Sequence, residues 1–134
     1  MEYNQHNTEL LHKLKSLIKL MNIHVNHFPN HEKYGLSQEI RQTAYHVYAG
    51  VIECAKKYHN KTSLTKLDIA HEQLRMLVNL AFELGYYEYK DGKRQNTEEE
   101  AFRRYTALSI LINETGKMIG GWIRNLKVVD GAGA

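Results

Sequence analysis

Three histidines, His24, His27 and His31, fall within the eight-residue stretch HVNHFPNH, and imidazole is the commonest metal ligand. His24 and His27 lie one helical turn apart, so both could reach one ion. No Cys, Asp or Glu joins them at ligand spacing, and Pro29 breaks a helix before His31. His24 also keeps the register of an apolar helix face, the position of a core or interface histidine. No metal site is assigned. Cys54 is the single cysteine and falls on an inward stripe, where an inert thiol is expected. Glu98, Glu99 and Glu100 stand at a helix start and read as capping residues. No nucleophile elbow, phosphate loop or Glu-x-x-His pair occurs. The residues therefore give no catalytic group, no cofactor and no small-molecule substrate.

Basic and aromatic residues offer another chemistry. The segment GYYEYKDGKRQN (85–96) combines Tyr86, Tyr87 and Tyr89 with Lys90, Lys93 and Arg94. Aromatic rings beside positive charge suit single-stranded nucleic acid, because unstacked bases can lie on them. The net charge of +3 and isoelectric point near 8.9 are compatible with a polyanionic partner.

These residues need a scaffold, and the apolar spacing supplies four amphipathic helices, at about 8–28, 36–58, 63–84 and 97–126. In the first, Leu10, Leu14, Leu17, Met21, His24 and Phe28 share a face, with Asn7 or Thr8 as the cap. The second carries Ile40, Ala44, Val47, Val51, Cys54 and Tyr58; Thr62 or Ser63 then caps the third. The third carries Leu67, Ala70, Leu74, Leu77, Ala81 and Leu84, and Gly85 ends it. Thr97 to Glu100 form a capping box for the fourth, whose seam runs Ala101, Tyr105, Leu108, Ile112, Thr115, Ile119, Trp122 and Leu126. The remainder, 127–134, reads as a flexible tail. A single all-α, antiparallel up-down-up-down four-helix bundle follows. No stretch approaches the roughly 20 apolar residues of a membrane span, no secretion signal is visible, and the expected location is the cytoplasm.

Glycines interrupt the last helix at 116, 120 and 121, each at a cost of about 1 kcal/mol relative to alanine. Ser109, Gly116 and Gly120 lie on one side, and Phe102, Leu111, Met118 and Ile123 add apolar surface elsewhere on the helix. Two readings stand: an oligomer interface built on Gly116, Gly120, Gly121, Trp122 and Ile123, or a core helix packed closely on its neighbours.

FPNHEKYGLSQEIRQTA (28–44), LRMLVNLAFEL (74–84) and RRYTALSILINETGKMIGGWI (103–123), followed by Arg124, resemble the Avd proteins, the accessory variability determinants of diversity-generating retroelements. The resemblance spans about residues 8–127, and its most specific piece is the glycine–tryptophan ending. The four-helix proteins encoded in 23S ribosomal RNA intervening sequences share the earlier FP…YGL…IR motif. The resemblance implies a homopentameric barrel of bundles that binds a reverse transcriptase and its RNA or DNA, with no catalytic activity of its own. It implies contact roles for Arg41, Arg75 and Arg124; Lys117, Lys127, Tyr86, Tyr87, Lys93 and Arg94 extend that surface. Asn79 departs from the family pattern, which has a basic residue there. The 85–100 link is longer than the usual connection. The alternative is a structural bundle of the ribosomal type, without a polymerase partner.

Overall fold

The computed structural model describes residues 4–92 and 96–133, with the side chains of 127–133 excluded. Its helices are α1 (Gln5–Val25), α2 (Leu36–Lys56), α3 (Lys61–Glu83) and α4 (Thr97–Gly133), with a 3₁₀ turn at Asn30–Glu32. No strand occurs among the described residues. Asn4, not Asn7 or Thr8, caps α1, its side chain accepting from the Asn7 amide at 2.8 Å. Asn96 rather than Thr97 caps α4, accepting from the Glu99 amide at 2.9 Å. Asn60, not Thr62 or Ser63, is the cap residue of α3, and Ser63 is buried. Gly85 ends α3 as its pattern predicts. At φ +80° it lets the Gly85 amide reach Phe82 O and the Tyr86 amide reach Ala81 O, both at 3.0 Å, the double bond of a Schellman motif.

Cross-helix contacts set the topology. Lys13 meets Glu114 and His6 meets the Met118 carbonyl, so α1 and α4 are antiparallel. Asn79 with Tyr105 and His71 with Thr115 do the same for α3 and α4. Arg41 and Tyr45 of α2 meet Asn22 of α1. Each helix packs on two neighbours, in the cyclic order α1, α2, α3, α4. The core is the predicted one along most of its length, from Leu10, Leu14, Leu17 and Met21 to Leu108, Ile112 and Ile119. Leu77, Tyr105, Trp122 and Leu126 are only partly buried against it, and two expected core residues are exposed. Tyr58 is 91% exposed because α2 ends at Lys56, and Leu84 is half-exposed as the residue capping α3. With 37 residues against 21–23, α4 is about 20 Å longer than the others and continues as helix to Gly133, past the expected end at 126.

The glycines of α4 separate into two kinds. A Cβ at Gly116 would lie 2.9 Å from His71 Cε1 and 3.1 Å from Arg75 Nη2, so this glycine admits side chains of α3 within the same bundle. His71 is buried there, its Nε2 2.9 Å from Thr115 Oγ1. Gly116 is thus accounted for by close packing inside one chain. Gly120 and Gly121 meet only the guanidinium of Arg124, at 3.4 and 3.7 Å. Alanine at 116 is therefore expected to be destabilising by about 1 kcal/mol net, overpacking outweighing helix propensity. Alanine at 120 should stabilise the bundle by up to about 1 kcal/mol. Urea midpoints of Gly116→Ala and Gly120→Ala check both; the reverse order would contradict the packing.

Candidate nucleic-acid interface

The tyrosine segment folds back onto the end of α1. Tyr87 is buried, its hydroxyl donating to Val78 O at 3.1 Å and its ring edge-on to Phe28 at 5.6 Å. The Tyr89 ring lies flat on His27 at 3.9 Å, and its hydroxyl is 2.6 Å from His24 Nδ1. Tyr86 donates to Glu32 at 2.7 Å, and the other oxygen of that carboxylate accepts the Leu36 amide at the start of α2. That amide, and then the Tyr86 hydroxyl, hold the Glu32 carboxyl below its ordinary range. The histidine cluster and the tyrosine cluster thus engage each other. Tyr87 cannot offer its ring to a base, which corrects the expectation placed on it, and Tyr86 is already partnered. Lys93 and Arg94 lie outside the described residues.

Beneath the segment lies Arg104, a buried guanidinium. Its Nη1 donates to the carbonyls of Tyr87 and Tyr89 at 2.8 and 2.7 Å; Nη2 is 3.6 Å from Asp91 and 3.9 Å from Glu100. The guanidinium carbon stands 3.7 Å from the centre of the Tyr89 ring. Desolvation and then the charge of Arg104 push the His24 imidazole down to about 4, so it is neutral at pH 7. Burial pushes the Cys54 thiol up to about 11, which suits an inert core residue. Among the described residues no group of three or more His, Cys, Asp or Glu side chains could hold a metal ion.

The predicted basic residues do not form one patch. Arg41 lies on the α1/α2 seam, bonded to Asn22 and Asn26. Arg75 lies on the α3/α4 seam, which is the opposite side of the bundle. It donates to Asn113 and sits 3.4 Å from Glu72. Asn113, Lys117 and Arg124 fall on one stripe of α4 by their spacing, and all three are exposed. Arg75, Lys117 and Arg124 therefore share a surface from which Arg41 is absent. The side chain of Lys127 lies outside the described residues.

Two of the residues named for an oligomer contact already pack within the chain. Trp122 packs edge-on to His6 at 5.7 Å, and Ile123, Leu111 and Met118 lie half-buried against the core. Among the described residues the exposed large aliphatic and phenylalanine side chains are instead Ile23 of α1, Ile69, Met76 and Leu80 of α3, Leu84 at its C-terminal cap, and Phe102 and Ile110 of α4. Ile69, Met76, Leu77 and Leu80 line a groove of about 610 Å³ between α2 and α3. A second groove, of about 410 Å³, lies between α3 and α4. Sequence reasoning missed its polar lining, although Arg75 and Asn79, and Tyr105, Ser109 and Asn113, repeat at intervals of four. No described helix is long and apolar enough to cross a membrane.

A family model described as bAvd-like matches residues 10–126. No curated protein matches the chain.

His24 makes stability pH-dependent. Its folded pKa of about 4 lies below the ordinary 6.5, so between these values the unfolded chain binds more protons. Its contribution is complete above about pH 6.5 and disappears as pH falls through about 4. Wild-type melting temperature should drop across that window more steeply than that of His24→Gln, while the lowered pKa of His71 acts alike in both proteins. Parallel pH curves for the two would contradict the buried neutral imidazole.

Proposed function

The chain belongs to the bAvd-like family, and on that premise we propose that it is a non-enzymatic accessory protein of a diversity-generating retroelement. In this reading it binds the element's reverse transcriptase and its template RNA or cDNA, and it supports mutagenic copying into a variable gene. The observation that carries the reading is the family match over residues 10–126. The surface chemistry is compatible with it. Arg75, Lys117 and Arg124 present positive charge beside the α3/α4 seam, and phosphate neutralisation by such residues provides sequence-independent affinity.

Assembly into a homopentamer belongs to the same proposal. The apolar stripe of α3 and the α2/α3 groove are the surfaces a lone bundle leaves wet, and burying them would offset the cost of association. Gly120, Gly121, Trp122 and Ile123 remain in the proposed contact as its α4 side. Five copies would also multiply the basic surface, which is modest at +3 per chain.

Light scattering should give a mass near five times 15.6 kDa, and a monomer at micromolar concentration would contradict the assembly. RNA affinity should fall with salt at a log–log slope of about −0.7 per phosphate contacted. Arg75→Glu with Lys117→Glu should weaken binding to every sequence and flatten the slope without changing the mass. Equal binding by the wild type and this double variant would remove the assignment of the interface. Binding to neither RNA nor a reverse transcriptase would favour the purely structural bundle.

A further inference from the structure

The α3/α4 groove of about 410 Å³ is lined by Arg75, Met76, Asn79, Tyr105, Ser109 and Asn113, over a floor of Val78 and Ile112. Its volume falls within the roughly 300–1,000 Å³ of small-molecule sites, and its chemistry differs from that of its neighbour. The α2/α3 groove sets an apolar strip of Ile69, Met76, Leu77 and Leu80 beside Glu39, Thr43, Glu72 and Gln73. This one offers a mixture of donors and acceptors in fixed positions. Arg75 donates to Asn113 Oδ1, and Asn79 Nδ2 donates to the Tyr105 hydroxyl at 2.9 Å. The Tyr105 ring is held in turn, stacked on Phe82 at 4.4 Å. These bonds orient both carboxamides, and Asn79, Asn113 and Ser109 all line the groove with further donor and acceptor capacity.

We infer that this groove takes the base of one unstacked nucleotide in a bound single strand. The inference deepens, and rests on, the nucleic-acid reading above. A dianionic phosphate only accepts and would leave an acceptor in the groove unused, whereas the Asn79 carboxamide carries both a donor and an acceptor. A heterocyclic base edge carries both donors and acceptors, and its flat apolar face matches the side of Met76, which is 58% exposed. Cations stand where the flanking phosphates would lie. The Arg75 guanidinium is at the groove, with Glu72 at 3.4 Å sharing part of its charge, and Lys117 follows one turn beyond Asn113 on the same stripe. Because the polar groups are already positioned by Phe82, Tyr105 and Arg75, little side-chain freedom is lost on binding.

The experiment uses the full chain and two labelled 12-nucleotide RNAs of equal phosphate count, one of mixed sequence and one abasic throughout. The wild type should bind the base-bearing strand about tenfold tighter. Asn79→Ala with Asn113→Ala should abolish that ratio while keeping the salt slope and the oligomeric mass, with a lower melting temperature from the two lost internal bonds. Ser109→Ala, which disturbs neither internal bond, should reduce the ratio by itself. If the wild type binds both strands equally, RNA binding rests on charge alone and the base site is overturned. If the double variant keeps the ratio, the bases are held elsewhere and the inference fails. A changed oligomeric mass in the double variant would make the seam a contact between proteins, again overturning it. Binding to neither strand would remove the nucleic-acid reading itself.

Discussion

A guanidinium taken out of water must be met by acceptors on every side, and Arg104 imposes that demand on one whole end of the bundle. Its partners are two backbone carbonyls, the carboxylates of Asp91 and Glu100, and the face of Tyr89. A buried charge left without partners costs several kcal/mol, so the link after α3 has to run where its carbonyls can reach the cation. Tyr87 is thereby set into the core and Tyr89 onto the end of α1. The same charge reinforces desolvation in keeping His24 neutral. Glu100 is buried beside Arg104, and the side chain of Asn96 caps α4.

Much of the scaffold was legible in the sequence because helical periodicity and stop signals are local. The inward stripes, the turn at Pro29 and the Schellman ending at Gly85 needed only neighbouring residues to be read. What periodicity cannot express is which distant atom lies opposite a position. Arg103 and Arg104 are adjacent and chemically identical, yet one is exposed and the other buried, a difference set by the fold of a link fifteen residues away. Gly116 and Gly120 look alike in the pattern. One faces the imidazole of His71 and the other the guanidinium of Arg124. The histidines and tyrosines each suggested chemistry when read alone, and their pairing across the chain was hidden.

The candidate site was legible in part. Arg75, Lys117 and Arg124 were visible as basic residues, and the fold brings them to one surface. Arg41 could be placed on the opposite seam only once the cyclic order of the helices was known. The polar ladder of the α3/α4 seam was visible as a spacing but gained meaning only when Asn79 and Tyr105 were found bonded across it. Asn79, where the resemblance leads one to expect a basic residue, bonds Tyr105 across the seam. α3 serves both seams, since Met76 lines the apolar groove on one side and the polar groove on the other. Occupants of the two would therefore lie within one side chain of each other.

Hydrogen exchange at the link tests most directly whether Arg104 organises this end. The amides of Tyr86 and Glu88 are bonded to Ala81 O and Gly85 O, so they should be protected in the wild-type protein. In Arg104→Met the packing volume is largely kept and the charge removed. Protection at Glu88 should then collapse, with the far end of the bundle, around Leu10 of α1, Cys54 of α2 and Leu64 of α3, unchanged. Free exchange at Tyr86 and Glu88 in the wild type, or equal protection in the variant, would contradict the account.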